Sequence, residues 1–120
     1  MNGLQVMGVH DEELHDPEIF RAILREAKID RGRACVLLAH QPKYLEVPAG
    51  EGVALMLCGH THGGQFWPWI YAARRVHKKF NHGLQCFEQM QVFTSYGAGT
   101  WGAPMRVGTK PEIVLIRLEN

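Results

Sequence analysis

The residues best suited to chemistry in this chain are histidines, and two of them fall in one short run, Cys58-Gly59-His60-Thr61-His62-Gly63-Gly64-Gln65. Neutral imidazole is the commonest side-chain ligand for borderline divalent metals. Two histidines at i and i+2 on a turning backbone can face one ion or splay towards two. The glycines at 59, 63 and 64 let the chain turn sharply and approach a ligand closely. His40 ends the apolar run Ala34-Cys35-Val36-Leu37-Leu38-Ala39, much as His60 follows Val53-Ala54-Leu55-Met56-Leu57-Cys58. The competing reading of each is a solvated or structural histidine at a strand end. Cys58 completes a C-x-H-x-H spacing, but at the end of a buried strand a free cysteine behaves as a small apolar side chain.

The elements that must position these side chains are legible around them. Both apolar runs read as buried strands, and a loop at a strand's carboxyl end is where open α/β sheets place ligands. Leu4-Gln5-Val6-Met7-Gly8-Val9 reads as a further strand. Asp16-Pro17 opens a helix, with Asp16 as cap and Pro17 in the first turn. Ile19, Phe20, Ile23, Leu24 and Ala27 then give it one apolar face. Strand, helix, strand is the βαβ pattern of an α/β fold. Leu84–Phe87 and Val92–Tyr96 suggest a hairpin through Glu88-Gln89, and Ile113–Leu118 a last strand. Between them, residues 97–104 form a glycine-rich turn without the spacing of a nucleotide-binding loop.

At 120 residues the chain is expected to be one domain, and its net charge of +1 excludes little. The distribution says more: nine of the twelve acids lie in the first 51 residues, and none occurs between Glu51 and Glu88. That gap holds Trp67, Trp69, Arg74, Arg75, Lys78 and Lys79. The bland reading is a partly packed helix with a solvated end; the sharper one is an interfacial element meeting an anionic membrane surface. Four clustered cations do not make a case for nucleic acid. His77 and His82 lack ligand-like framing and are expected to be exposed. No run reaches the roughly eighteen apolar residues of a membrane span. No signal-peptide pattern opens the sequence. Cys35, Cys58 and Cys86 read as reduced, buried thiols in a cytoplasmic setting, with the membrane surface as a peripheral site.

The composite G-H-T-H-G-G-Q resembles the histidine motif of the calcineurin-like metallophosphoesterases, in the branch that includes bacterial, often membrane-associated phosphodiesterases. L-L-A-H-Q-P is similar to that family's penultimate histidine motif. G-V-H-D is similar to its glycine-valine-aspartate stretch, with His10 where an acid is common. S-Y-G-A-G-T-W-G-A-P-M-R-V-G and P-E-I-V-L-I-R-L are similar to its closing glycine turn and final strand. The resemblance implies a four-layer α/β/β/α sandwich holding two divalent metals, bridged by an aspartate and a hydroxide. It implies His40 and His60 as ligands of one metal and His62 of the other, with Gly59 supplying the turn. Manganese, iron, zinc, magnesium and nickel are not distinguished.

The family's first half carries D-x-H, G-D and G-N-H motifs, and none occurs here; the only aspartates are Asp11, Asp16 and Asp30. The expectation is therefore the C-terminal half of the sandwich, residues 1–120, with the N-terminal half absent. Two adjacent dications repel, and carboxylates normally offset that charge, which neutral imidazoles cannot. Three readings follow. One is the C-terminal portion of a phosphomonoesterase or phosphodiesterase, in which Arg106 contacts the substrate phosphate or is simply structural. The second is a non-catalytic half-domain that binds partners or self-associates through exposed sheet edges. The third is a mononuclear zinc hydrolase built on His40, His60 and His62.

Overall fold

The apolar runs form the middle of a sheet. In the computed structural model, which describes residues 3–119, β1 (Gln5–Gly8), β2 (Cys35–Leu38), β3 (Leu55–Cys58), β4 (Gly83–Phe87) and β5 (Met90–Thr94) pair in the order β1-β2-β3-β5-β4. All neighbours are parallel except β4, which folds back on β5 through the two-residue loop Glu88-Gln89. The chain is thus a mixed α/β fold, a five-stranded sheet flanked by helices.

Two helices cover one face. α1 (Pro17–Glu26) starts where Asp16 Oδ1 accepts the Glu18 N–H at 2.7 Å, and it buries Phe20 and Leu24. α2 (Glu46–Glu51) has no periodic signal in the sequence, because it is only six residues long and contains Pro48 and Gly50. It forms because Val47 and Pro48 are buried, and Gly52 at φ 93° ends it. Beneath these helices Leu37, Met56 and Val92, from three adjacent strands, are fully buried with Phe20, Leu24 and Val47. Each such side chain contributes about 1.5–3 kcal/mol by leaving water.

The opposite face is less covered. Val6, Leu38 and Leu84 are 61%, 46% and 55% exposed. Residues 113–118, expected as a strand, join no ladder among the described residues. A strand needs a neighbour for its N–H and C=O groups, and none lies beside this segment among the described residues. Its exposure alternates nonetheless: Ile113 and Leu115 are 93% and 90% exposed, whereas Val114 and Ile116 are 40% and 38%. Cys86, expected to be buried, is exposed because it lies on the edge strand β4, while Cys35 and Cys58 are buried. Among the described residues no helix is long and apolar enough to cross a membrane.

Candidate functional site

Register places the histidines. Leu38 pairs with Leu57, so β2 and β3 end almost level. The ladder then runs on past both strands, with Ala39 N–H donating to Leu57 O at 3.0 Å and Gly59 N–H to His40 O at 3.1 Å. His40 and His60 are thereby held side by side at the carboxyl end of the sheet. His40 Nε2 lies 3.0 Å from His60 Nδ1, with the rings edge to face at 4.8 Å between centroids. A shallow, open depression of 530 Å³ lies beside His40, lined also by Val9, His10, Leu38 and Leu57. His10 caps the short 3-10 turn Asp11–His15, its Nδ1 accepting the Glu12 N–H at 3.4 Å.

The turn that follows is strained and tightly held. His60, His62 and Gln65 have φ of 66°, 46° and 56°, in the left-handed region that side chains rarely occupy. Such residues cost about 1–3 kcal/mol each and persist only where the surroundings over-determine them. Thr61 Oγ1 donates to Asn81 O at 2.8 Å and accepts the Gly63 N–H at 3.2 Å. Gly63 and Gly64 have no substitute: a β-carbon on the first would collide with the Tyr96 ring, and on the second with the Ile70 backbone.

That close approach delivers a residue the sequence reading set aside. α3 (Trp69–His77) begins against Gly64 and turns Ile70, Ala73 and His77 inward, at i, i+3 and i+7. His77 is not exposed as expected. Its ring meets His60 edge to face at 6.1 Å. The helical spacing with Ile70 and Ala73 is the signal that could have found it. His82 is exposed, as expected, yet its ring stacks on Tyr96 at 3.7 Å with Nε2 3.2 Å from Glu112 Oε1. No sequence signal could have joined residues thirty positions apart.

Burial lowers the pKa of His60, His62 and His77. Charge on His40, His77 and Lys43 lowers His60 further, against a small opposing effect of Asp11. Arg106 lowers His62, and Lys43 lowers His77. These rings therefore keep their lone pairs at neutral pH, as cation ligands must. Burial pushes the Cys58 thiol up to about 12, so it is a protonated core side chain and a poor thiolate donor.

His40 and His60 bring two ring nitrogens to hydrogen-bond distance of each other. A 3.0 Å separation of two nitrogens is close to that of adjacent ligands with bonds of about 2.0–2.1 Å. The donor set goes no further: among the described residues no three His, Cys, Asp or Glu side chains converge on one point. The Asp11 carboxylate is taken by Gln41 Nε2, at 2.9 and 3.1 Å. His62 stands apart from the pair, with Nδ1 3.3 Å from Arg106 Nη2. Arg106, expected either at substrate phosphate or as a structural residue, is turned to protein acceptors.

No family model matches the chain, and no solved structure does. Curated proteins do. An uncharacterised metallophosphoesterase of Campylobacter jejuni is 34% identical over 119 residues, which is 98% of this chain and 31% of that protein. A Helicobacter pylori metallophosphoesterase is 33% identical over 122 residues, 98% of this chain and 33% of its own length. Phosphodiesterase YaeI of Escherichia coli is 35% identical over 86 residues, 69% of this chain and 32% of its own length. The chain thus spans about a third of the length of these relatives. Names from three bacteria converge with the histidine turn and its glycines: the chain belongs to the calcineurin-like metallophosphoesterase family.

Proposed function

We propose that this chain is the carboxyl-terminal part of a metal-dependent phosphoesterase domain. In it His40 and His60 hold one divalent ion and His62 is directed to a second. The observation that carries the reading is the 3.0 Å approach of His40 Nε2 to His60 Nδ1 at the carboxyl end of parallel strands. The thinly covered sheet face and the unpaired apolar segment 113–118 support a place for this sheet inside a four-layer α/β/β/α sandwich. The carboxylates that would offset two dications are assigned to the rest of that domain. The phosphodiesterase named among the relatives suggests a phosphodiester as the substrate class.

A bound divalent ion supplies Lewis-acid polarisation of a phosphoryl oxygen and lowers the pKa of a water. The chain's own residues lower the pKa of the His60 imidazole by burial, hold His40 and His60 side by side through the extended ladder, and leave open surface beside them. The test is calorimetric titration of the purified chain with Mn²⁺, alongside hydrolysis of bis(p-nitrophenyl) phosphate. One saturable site lost in His60→Ala supports the reading. Hydrolysis that needs no added ion, or that His60→Ala leaves undiminished, overturns it.

A second reading is favoured by α3, which buries none of its residues. Trp67, Trp69, Tyr71 and Val76 are 67%, 59%, 63% and 72% exposed beside Arg74, Arg75, Lys78 and Lys79. This surface suits a peripheral contact with anionic lipid, whether the chain serves as an enzyme part or as a binding half-domain. Salt-sensitive binding to phosphatidylserine vesicles, lost when the four cations are neutralised, is the expected result. Equal binding to neutral vesicles removes the idea.

A further inference from the structure

We propose that Arg106 is a positioning residue for His62, holding the strained histidine turn against the glycine-rich loop rather than meeting substrate. Every nitrogen of its guanidinium is engaged within the protein. Nε donates to Gly99 O at 3.1 Å. Nη1 donates to His62 O and to Thr109 Oγ1, both at 3.3 Å. Nη2 donates to Tyr96 O at 2.7 Å and Gly97 O at 3.2 Å, and lies 3.3 Å from His62 Nδ1. A planar fork with five fixed donors can satisfy several carbonyls at once; a lysine ammonium, a point charge on a flexible stem, cannot.

The object being held needs holding. His62 sits at φ 46°, and its carbonyl serves both the Gln65 N–H at 2.9 Å and Arg106. Gln65, 2% exposed, supplies a second tie. Its Oε1 accepts the Trp101 N–H at 2.6 Å, and its Nε2 donates to Trp101 O at 2.8 Å and Ala103 O at 3.1 Å. Its main-chain carbonyl accepts from Val107 N–H at 3.0 Å. The turn at 60–65 and the loop at 96–109 are therefore one stitched unit, with the guanidinium on the His62 side. A phosphate contact would require the fork to release Tyr96 O and Gly99 O, which accept from no other donor among the described residues.

This inference rests on the metal-site reading only for what His62 is positioned to do. The geometry exists without an ion, so its test is metal-free and fails separately. Imidazole-resolved ¹H–¹⁵N NMR on the labelled full chain would compare wild type, Arg106→Lys and Arg106→Ala, with a thermal melt of each. The wild type is expected to show cross-relaxation between the Arg106 side chain and the His62 ring. Both variants are expected to shift the His62 ring signals severalfold more than those of His40 and His60, and lysine to give no rescue. Absence of the wild-type contact overturns the proposal, as does a folded variant with native His62 signals. Unfolding of both variants also overturns it, since Arg106 would then hold the whole domain and not the histidine.

Discussion

On the sheet face that carries α1 and α2, Leu37, Met56 and Val92 are fully buried under Phe20 and Leu24. On the other face Val6 and Leu38 are 61% and 46% exposed, though their strands are as apolar there as beneath the helices. Parallel strands with apolar residues on both sides occur almost only where both faces are covered. The difference agrees with the proposed place of this sheet as an inner layer, although Val36 and Leu55, in register with Val6 on that face, are 6% and 8% exposed. Leu118 lines a hollow together with Val36 and Leu55 of that face, and residues 113–118 join no ladder among the described residues.

Adjacent residues of β2 give the largest contrast. Leu37→Ala should cost about 2–5 kcal/mol, the range for emptying a packed leucine site. Leu38→Ala, one residue on and facing the other way, should cost about 1 kcal/mol or less. Urea denaturation of the two variants reads this directly; equal losses would mean that the second face is covered in solution.

The cysteines read the same contrast chemically. Cys35 and Cys58 lie on the helix-covered face, whereas Cys86 shares the ladder of Gln91 and Leu55 on the other. Burial raises the thiol pKa of Cys35, and raises that of Cys58 from 9.0 to about 12. Iodoacetamide at mildly alkaline pH should therefore alkylate one thiol quickly and two only on unfolding. The same shift makes the fold lose stability as pH rises through 9.0 towards 12, because the folded state holds the Cys58 proton longer. Three thiols of equal reactivity would break the comparison.

On the rim between the faces, the histidines should separate into a pair and a single. His60→Ala should weaken Mn²⁺ binding by at least about tenfold, since even support residues of metal ligands cost 10–100-fold. His62→Ala, removing a ring held by Arg106, should change the affinity of the chain alone by about twofold or less. Losses of the same size would place all three imidazoles on one ion.

Much of this was legible in the sequence wherever the cause is local. The apolar runs before His40 and His60, the Asp16-Pro17 helix start and the Glu88-Gln89 hairpin all rest on neighbours within a few residues. The α2 helix was not legible, because burial of Val47 and Pro48 overrides weak propensity. The final strand was expected from its apolar run, but an apolar run cannot supply a partner strand. In the site, the glycines announced a sharp turn, while the role of Arg106 depends on carbonyls up to 44 positions away. His77 illustrates the boundary: its helical spacing was present, but its closeness to His60 depends on how Gly64 meets Ile70.

Glu112 is the polar anchor just ahead of the segment 113–118, and it offers the smallest effect. Its carboxylate accepts the Tyr96 N–H at 2.8 Å and the Ser95 hydroxyl at 3.0 Å, and faces His82. Its own N–H donates to Gly97 O at 3.0 Å. Partial burial raises the carboxyl pKa, but the Tyr96, His82 and Ser95 hydrogen bonds outweigh it, leaving the value below the usual 4.5. A lowered folded pKa means that the stabilisation is present above 4.5 and is lost as pH falls through the folded value. Glu112→Gln should therefore cost about 1 kcal/mol at neutral pH, the scale of one net hydrogen bond. In acid, wild type and variant should converge. Urea midpoints across that range decide it: a gap that persists below the folded pKa would show that the segment is held by Val114 and Ile116 packing rather than by this charge.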